Sequence, residues 1–216
     1  MICQMKSRTV RIILILIDVE KKFELPDKFV FNTFGIKLFQ IKCTKSFKYA
    51  KEGDLGGYVE KDENLDQESD AWVYGDARVS GDAQVSGDAQ VFGNARVFGN
   101  AQVSGDAQVS GDAQVSGDAQ VSGDARVYGD AQVFGDADIE NDNNHCGFDC
   151  FGSCNRHTHA YLTKDNKVEI TCGCFRGSIE EFEKKVEGTH SGTIYEKQYK
   201  AIINVIKIKF GLTDLI

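Results

Sequence analysis

The chain has 216 residues, a formal net charge of −8 and seven cysteines. Because the sequence shows no export signal, the cysteines favour a protein of the reducing cytoplasm and argue against a framework of disulfides. The apolar run near the N-terminus, Ile12 to Ile17, has six residues and is too short to span a membrane.

Residues 1–21 form an N-terminal extension in our prediction. The basic residues Lys6, Arg8 and Arg11 precede the apolar run. This run is also short for the core of a signal peptide, and no small-residue cleavage site follows it. A buried strand is the simpler interpretation, and the predicted location is cytoplasmic, with no contact to a membrane.

Residues 22–69 are predicted to form a β-cap. Two stretches, 29–31 and 36–41, have the alternating pattern of short β-strands. They lead to a glycine-rich segment in which Gly56 and Gly57 permit a tight turn. We expect Tyr58 and Val59 to close the first coil of the segment that follows.

Twelve consecutive hexapeptides of the form (Asp/Asn)-Ala-x-Val-x-Gly run without an insertion from Asp70 to Asn141, and only the last departs from the pattern. Ala and Val lie two residues apart, so both point to the same side of an extended chain, and Gly followed by Asp or Asn forms a corner. Such a strict period predicts one small unit stacked on copies of itself. Three hexads per turn would bury every Ala and Val along one axis, whereas a string of hairpins would expose a face of valines.

This array resembles the hexapeptide-repeat left-handed β-helix family, in which an aliphatic residue and small residues recur at fixed positions, as they do in residues 85–90. The resemblance covers residues 70–141 and implies a left-handed parallel β-helix of about four coils. The predicted fold is therefore mainly β, with an N-terminal β-cap before this helix and a small C-terminal ββαα domain after it, over residues 142–216.

Residues eighteen apart are predicted to stack in columns, because three hexads make one turn. The column after Val carries aromatic residues on two faces and none on the third. Eleven Asp and one Glu against three Arg give the array a net charge of −9. The array would be about 19 Å long, so its charge density approaches that of duplex DNA. We therefore predict an interaction surface of aromatic and acidic side chains: Tyr74, Phe92, Phe98, Tyr128, Phe134, Asp82, Asp106 and Asp118.

Simpler explanations of the same residues stay open. The aromatic rings could stack on one another for stability, or form an apolar patch through which chains associate, often as homotrimers in this family. Asp is also a good corner residue, whatever its charge does. The acidity argues against direct binding of DNA or RNA by the helix, although a dense acidic rod could imitate nucleic acid towards a partner protein.

Residues 142–216 lack hexads. Two strands, 161–163 and 168–171, are predicted to flank a hairpin turn. Ser178 and Glu181 have the spacing of a capping box, which predicts a helix from this point, and a second apolar helical pattern begins near Tyr195.

Two segments resemble proteins of phages and prophages. Residues 53–61, followed by Asp-Ala-Trp-Val-Tyr-Gly-Asp-Ala-Arg-Val at residues 70–79, are similar to the start of hexapeptide arrays in such proteins. The stretch 172–178, with its Cys-Gly-Cys-Phe motif, resembles a small domain found after such arrays, together with Phe182, Thr189, His190 and Tyr199. Both resemblances imply lineage and not an activity. Because the resemblance begins near Lys22, an alternative origin of residues 1–21 is an upstream start choice.

The C-terminal segment also concentrates Cys and His residues, which are common zinc ligands. It has no Cys-x₂-Cys pair, so buried or incidental thiols are the favoured interpretation and no cofactor is predicted. The alternative is a structural zinc ion, for which the candidate ligands are Cys150, Cys154, Cys172 and Cys174.

The predicted function is non-enzymatic binding. The expected protein is a phage- or prophage-type accessory protein that binds a host or phage protein in the cytoplasm, through the acidic and aromatic faces of the β-helix, the C-terminal domain or both. Interference with host defence is one version. An acyltransferase is the enzyme alternative, but such enzymes use a His in or beside the coils, and residues 70–141 contain neither His nor Cys. The third alternative is a rigid structural or oligomerising spacer.

Overall fold

A computed structural model of the protein describes residues 20–212, so the strand predicted at residues 12–17 lies outside the described part. The fold is mainly β: a parallel β-solenoid, preceded by short strands and followed by an antiparallel sheet with two helices. Neither helix within residues 20–212 has the length and apolar composition needed to cross a bilayer. The predicted parallel β-helix with flanking domains is confirmed.

Four strands precede the array, and all belong to one sheet. They are β1 (Phe23–Glu24), β2 (Phe29–Phe31), β3 (Lys37–Cys43) and β4 (Leu55–Val59). Strand β3 pairs antiparallel with the other three. The two predicted stretches correspond to β2 and β3.

Each hexad of the array contributes one two-residue strand, and strands eighteen residues apart pair in parallel. The predicted columns are therefore present. Three sheets result. Sheet A continues from β4 through β6 (Arg78–Val79), β9 (Arg96–Val97), β12 (Gln114–Val115) and β15 (Gln132–Val133). Sheet B contains β7 (Gln84–Val85), β10 (Gln102–Val103), β13 (Gln120–Val121) and β16 (Asp138–Ile139). Sheet C contains β5 (Trp72–Val73), β8 (Gln90–Val91), β11 (Gln108–Val109) and β14 (Arg126–Val127).

The interior of the solenoid is made by the Ala and Val of each hexad, all of which are buried, with Ile139 replacing Val in the last. Burial of one Val or Ile side chain contributes about 1.5–3 kcal/mol to the free energy of unfolding. The corner glycines have φ between 58° and 74°, a region that L-residues rarely adopt. They also stack closely, because a Cβ on Gly105 would lie 2.9 Å from the backbone N of Gly123.

The solenoid has about five turns, one more than predicted, because the irregular segment before the array forms a turn of its own. Tyr58 and Val59 of β4 pair in parallel with Arg78 and Val79, and Leu65 forms a parallel bridge to Val85. The core of this first turn is continuous with that of the regular turns.

The N-terminal edge is closed by side-chain donors. Each turn donates backbone N–H groups to carbonyls of the next turn, so carbonyls of the first turn lack a donor from a preceding turn. The buried Lys22 donates to the carbonyls of Ser69 at 2.6 Å and Ala71 at 2.9 Å. Asn64 lies in the first turn, and its amide donates to the carbonyls of Gly81 and Ala83 in the second turn, in the same direction as the backbone bonds. These bonds satisfy acceptors that would otherwise be buried without a partner.

The C-terminal domain contains four strands, two more than predicted. They form one antiparallel sheet: β17 (His145–Phe151), β18 (Arg156–Leu162), β19 (Val168–Cys172) and β20 (Phe175–Ser178). Helices α1 (Ile179–His190) and α2 (Ile194–Lys209) cover one face of this sheet and share an apolar core with it. Ser178 and Glu181 form the expected capping box of α1.

The opposite face of this sheet closes the C-terminal edge of the solenoid. Tyr161 is fully buried within the solenoid core, and its hydroxyl accepts the backbone N–H of Phe134 at 3.3 Å. Thr171 donates to the carbonyl of Gln132 at 2.9 Å. The carboxylate of Asp142 accepts the backbone N–H of Arg126 at 2.8 Å. The solenoid and the C-terminal sheet are therefore joined by polar contacts at the last turn.

Substitution of a corner glycine tests the close stacking of the turns. Gly105 and Gly129 have the same φ of 67°, but a Cβ on Gly129 would meet no atom within 4 Å. Both Gly→Ala variants should lose about 1–2 kcal/mol through the left-handed backbone. Gly105→Ala should lose about 1–3 kcal/mol more through steric overlap with the next turn. Urea unfolding measures both, and equal losses would show that close stacking contributes nothing.

Candidate interaction surface

The structure does not bring the eight predicted surface residues together on one face. Tyr74, Phe92 and Tyr128 follow strands of sheet C, and Phe98 and Phe134 follow strands of sheet A. The predicted aspartates lie on the corners that border sheet B, with Asp82 and Asp118 on one side and Asp106 on the other. The aromatic groups therefore lie on sheets A and C, and the acidic groups lie on the corners between the sheets.

The aromatic residues differ in exposure. Tyr74 packs against the solenoid core, and its hydroxyl donates to the carbonyl of Tyr49 at 3.4 Å. Phe92, Phe98 and Phe134 are half-buried, whereas the side chain of Tyr128 is 66% exposed. Within residues 20–212, no close ring pair joins two of these five residues. The other four aromatic side chains therefore contribute to the outer surface without stacking on one another.

Sheet B carries a flat polar face without aromatic or basic residues in its outward columns. The array's three arginines lie elsewhere, Arg78 and Arg96 on sheet A and Arg126 on sheet C. The outward side chains of sheet B are Gln84, Gln102, Gln120, Asp138, Ser86, Ser104, Ser122 and Glu140. We call this surface, with its two bordering rows of aspartates, the sheet B face.

The corner row between sheets B and C contains only aspartates and no asparagine. It consists of Asp70, Asp88, Asp106 and Asp124. Each of the other two corner rows contains an asparagine, whose amide donates to the next aspartate, from Asn94 to Asp112 at 2.9 Å and from Asn100 to Asp118 at 2.8 Å. These amides reduce the repulsion between stacked carboxylates.

Lysines reach both ends of the sheet B face, and at the C-terminal end Lys164 donates to the backbone carbonyl of Asp118 at 2.8 Å. The ion pairs lie at the N-terminal end. Lys48 pairs with Asp88 at 2.6 Å, and Lys61 pairs with Asp82 at 2.7 Å. Among the residues that the structure describes, Asp106 and Asp124 have no Lys or Arg within ion-pair distance. Sequence reasoning missed the loop that extends this acidity beyond the array, although its composition was visible; its acids are Asp62, Glu63, Asp66 and Glu68.

Sheet A has the opposite character. Arg78 and Arg96 are paired in register on adjacent strands, next to Phe98. With Phe34 of the β2–β3 turn, which is 83% exposed, they line a cavity of about 260 Å³. The solenoid is therefore acidic on one face and basic with aromatic residues on another. The role of Phe34 had no signal in the sequence, because the turn residues reach sheet A only through folding.

The four cysteines proposed as zinc ligands occupy different environments. Cys172 is buried and accepts a hydrogen bond from the hydroxyl of Thr158 at 3.4 Å, whereas Cys150, Cys154 and Cys174 are exposed. Over residues 20–212, no group of three or more His, Cys, Asp or Glu side chains is arranged to hold a metal ion. Within the described residues, the four thiols are therefore not gathered into one cluster.

Three histidines meet at the junction of the solenoid and the C-terminal sheet, near Asp142 and Tyr128. His159 is fully buried, and its Nδ1 lies 3.4 Å from the carbonyl of Gln132, which can only accept. Its Nε2 must then accept from Nδ1 of His145, at 2.9 Å. Burial lowers the pKa of His159 to about 3 and also lowers the pKa of His145. His145 and His159 therefore favour the neutral form at the polar junction.

Comparison with known proteins agrees with the repeat architecture. Residues 71–88, 89–105 and 119–135 match the family model described as YdcK beta solenoid repeat. Each matched segment is about one turn long, since paired strands are eighteen residues apart. A search of curated proteins found no match. The chain is a repeat β-solenoid protein, on both the match and its fold.

Acid should weaken the junction through His159. The unfolded chain binds a proton at this residue near the ordinary pKa of about 6.5, whereas the folded protein binds it only near pH 3. Stability should therefore fall as pH decreases below 6.5, by up to about 1.4 kcal/mol per pH unit from this group.

The measurement is chemical denaturation at pH 7, 6 and 5 on the native chain and on His159→Gln. This variant should have a shallower dependence on pH, while His190→Gln, which changes a histidine outside the junction, should keep the native slope. The same slope in all three proteins would contradict this assignment.

Proposed function

We propose that the protein is a non-enzymatic accessory protein of phage or prophage type, and that its sheet B face binds a basic surface of a host or phage protein. The observation that carries the proposal is the acidity of this face, which has no basic residue in its columns and, on one border, a row of four aspartates of which Asp88 is paired with Lys48. The phage or prophage origin is supported by the resemblances at residues 53–79 and 172–199.

A protein partner suits this surface better than a small ligand. The sheet B face is flat and polar and extends along the whole solenoid, so its contacts would be distributed over several turns. Charged surfaces of this kind steer complementary proteins and set their orientation. The neutral Gln and Ser columns supply hydrogen-bonding groups between the two acidic borders.

Interference with host defence is the version that we favour. An acidic rod with a charge density near that of duplex DNA would occupy a basic nucleic-acid-binding surface of a host protein. The solenoid itself, with a net charge of −9 over residues 70–141, would not bind DNA or RNA. The expected partner is therefore a DNA-binding protein whose binding to duplex DNA is competitive with binding to this protein.

Matched charge variants test the face. One variant carries Asp106→Asn, Asp118→Asn and Asp124→Asn on the borders of sheet B. The control carries Asp76→Asn, Asp112→Asn and Asp130→Asn on the row between sheets C and A. Both remove three charges from the same hexad position, and each neutralises one carboxylate that accepts a hydrogen bond from an asparagine amide.

Binding to an arginine-rich peptide and to a partner captured from host cells should weaken about tenfold in the first variant and less than about threefold in the control. Duplex DNA added to the captured complex should displace the protein. Equal weakening by both variants would show that only net charge matters, and would contradict a role for the sheet B face.

The homotrimer is a second candidate assembly, favoured by Tyr128, which is exposed on sheet C. Light scattering on the purified protein measures its absolute mass. If the exposed aromatic residues join chains, the native protein should have three times the mass of the chain, and Tyr128→Ser should shift it towards the monomer. A monomeric native protein would contradict the homotrimer, and binding to a different protein would be the remaining proposal.

A further inference from the structure

The C-terminal domain contains a cavity that shares no residue with the sheet B face. It lies between strands β18 to β20 and helices α1 and α2, on the side of the sheet away from the solenoid. Its volume is about 360 Å³. This is within the range of small-molecule sites, which is roughly 300–1,000 Å³.

Aromatic rings form the inner wall of this cavity. Phe182 contacts Phe175 at 5.0 Å and Tyr199 at 5.5 Å between ring centroids. His190 stacks on Tyr199, with the ring planes 27° apart. Flat, apolar surfaces of this kind favour a ligand with an aromatic or similarly flat body.

The rim of the cavity is cationic. Arg156 and Lys185 contribute to the lining, and no carboxylate does. Arg176 also lines the cavity, but its guanidinium pairs with Glu169 and lies beside Gly135 of the solenoid. Within residues 20–212, Arg156 and Lys185 have no Asp or Glu within ion-pair distance. Two free cations at a cavity mouth in a chain of net charge −8 favour an anionic ligand.

The wall of the cavity also contains a buried polar group, the hydroxyl of Tyr199. This side chain is 5% exposed, and its oxygen lies 3.8 Å from Sγ of Cys172. Burial raises the pKa of Tyr199 to about 12, so the phenol keeps its proton at neutral pH and remains a donor. A weak contact to sulfur leaves most of its hydrogen-bonding capacity for another acceptor.

We propose that this cavity binds a small organic anion, with its carboxylate or phosphate held by Arg156 and Lys185 and its flat body against Phe175, Phe182 and Tyr199. The residues of the Cys-Gly-Cys-Phe segment converge on this site, since Cys172, Cys174 and Phe175 line it together with Thr189 and His190. The segment that the sequence marked as a unit is thus the wall of one pocket.

Adjacent lysines on α1 provide a matched test. Both lysines are exposed, but Lys185 lines the cavity and Lys184 does not. Calorimetric titrations of the full chain would use phenyl phosphate, phenylacetate and inorganic phosphate as probes. At least one of the two aromatic anions should bind, and the tighter of them identifies phosphate or carboxylate as the preferred group.

Lys185→Gln and Arg156→Gln should each weaken this binding about tenfold, while Lys184→Gln should change it less than about twofold. Thr189→Trp, a change at an exposed position on the rim, should block the cavity and abolish binding with the fold intact by circular dichroism. The proposal is overturned if neither aromatic anion binds, if the two lysine variants weaken binding equally, or if inorganic phosphate binds as tightly as phenyl phosphate. None of these outcomes depends on the sheet B face.

Discussion

The hydrogen bonds of the solenoid run in one direction, and the two ends must therefore be closed by different chemistry. Each turn donates N–H groups to the carbonyls of the next, so the first turn presents unpaired acceptors, while N–H groups such as those of Arg126 and Phe134 remain at the last. The ammonium of Lys22 closes the first end, and the carboxylate of Asp142 and the hydroxyl of Tyr161 close the second. Closure also hides strand edges that would otherwise invite polymerisation.

Because the interior is built from the same two residues in every turn, packing places almost no demand on the outward positions. The sequence can vary there with little effect on the core, and this is where the faces differ. Sheet B is acidic and flat, sheet A carries Arg78, Arg96 and Phe98, and sheet C carries most of the aromatic residues. A rod of nearly uniform construction thus has three chemically distinct sides.

The repeat made the solenoid and its columns predictable, since a six-residue period fixes which side chains are buried and which are stacked. Strands β2 and β3 and both helices also had local signals in alternation, helical spacing and capping. Strands β17 and β20 had none, because their Gly, Cys, His and Arg residues become strands only through pairing with β18 and β19. The cavity in the C-terminal domain was hidden for the same reason: Arg156, Lys185 and Tyr199 are far apart in sequence and meet only in the folded domain.

The pairing of strands eighteen residues apart restricts how such an array can change in length during evolution. Gain or loss of three hexads would move the C-terminal domain along the axis by about 4.8 Å while every column kept its face. Insertion of a single hexad would turn that domain by about 120° relative to the N-terminal cap, and every later hexad of the array would move to the neighbouring sheet. Relatives with the same division of faces should therefore differ in length by whole turns, each adding carboxylates to the sheet B face.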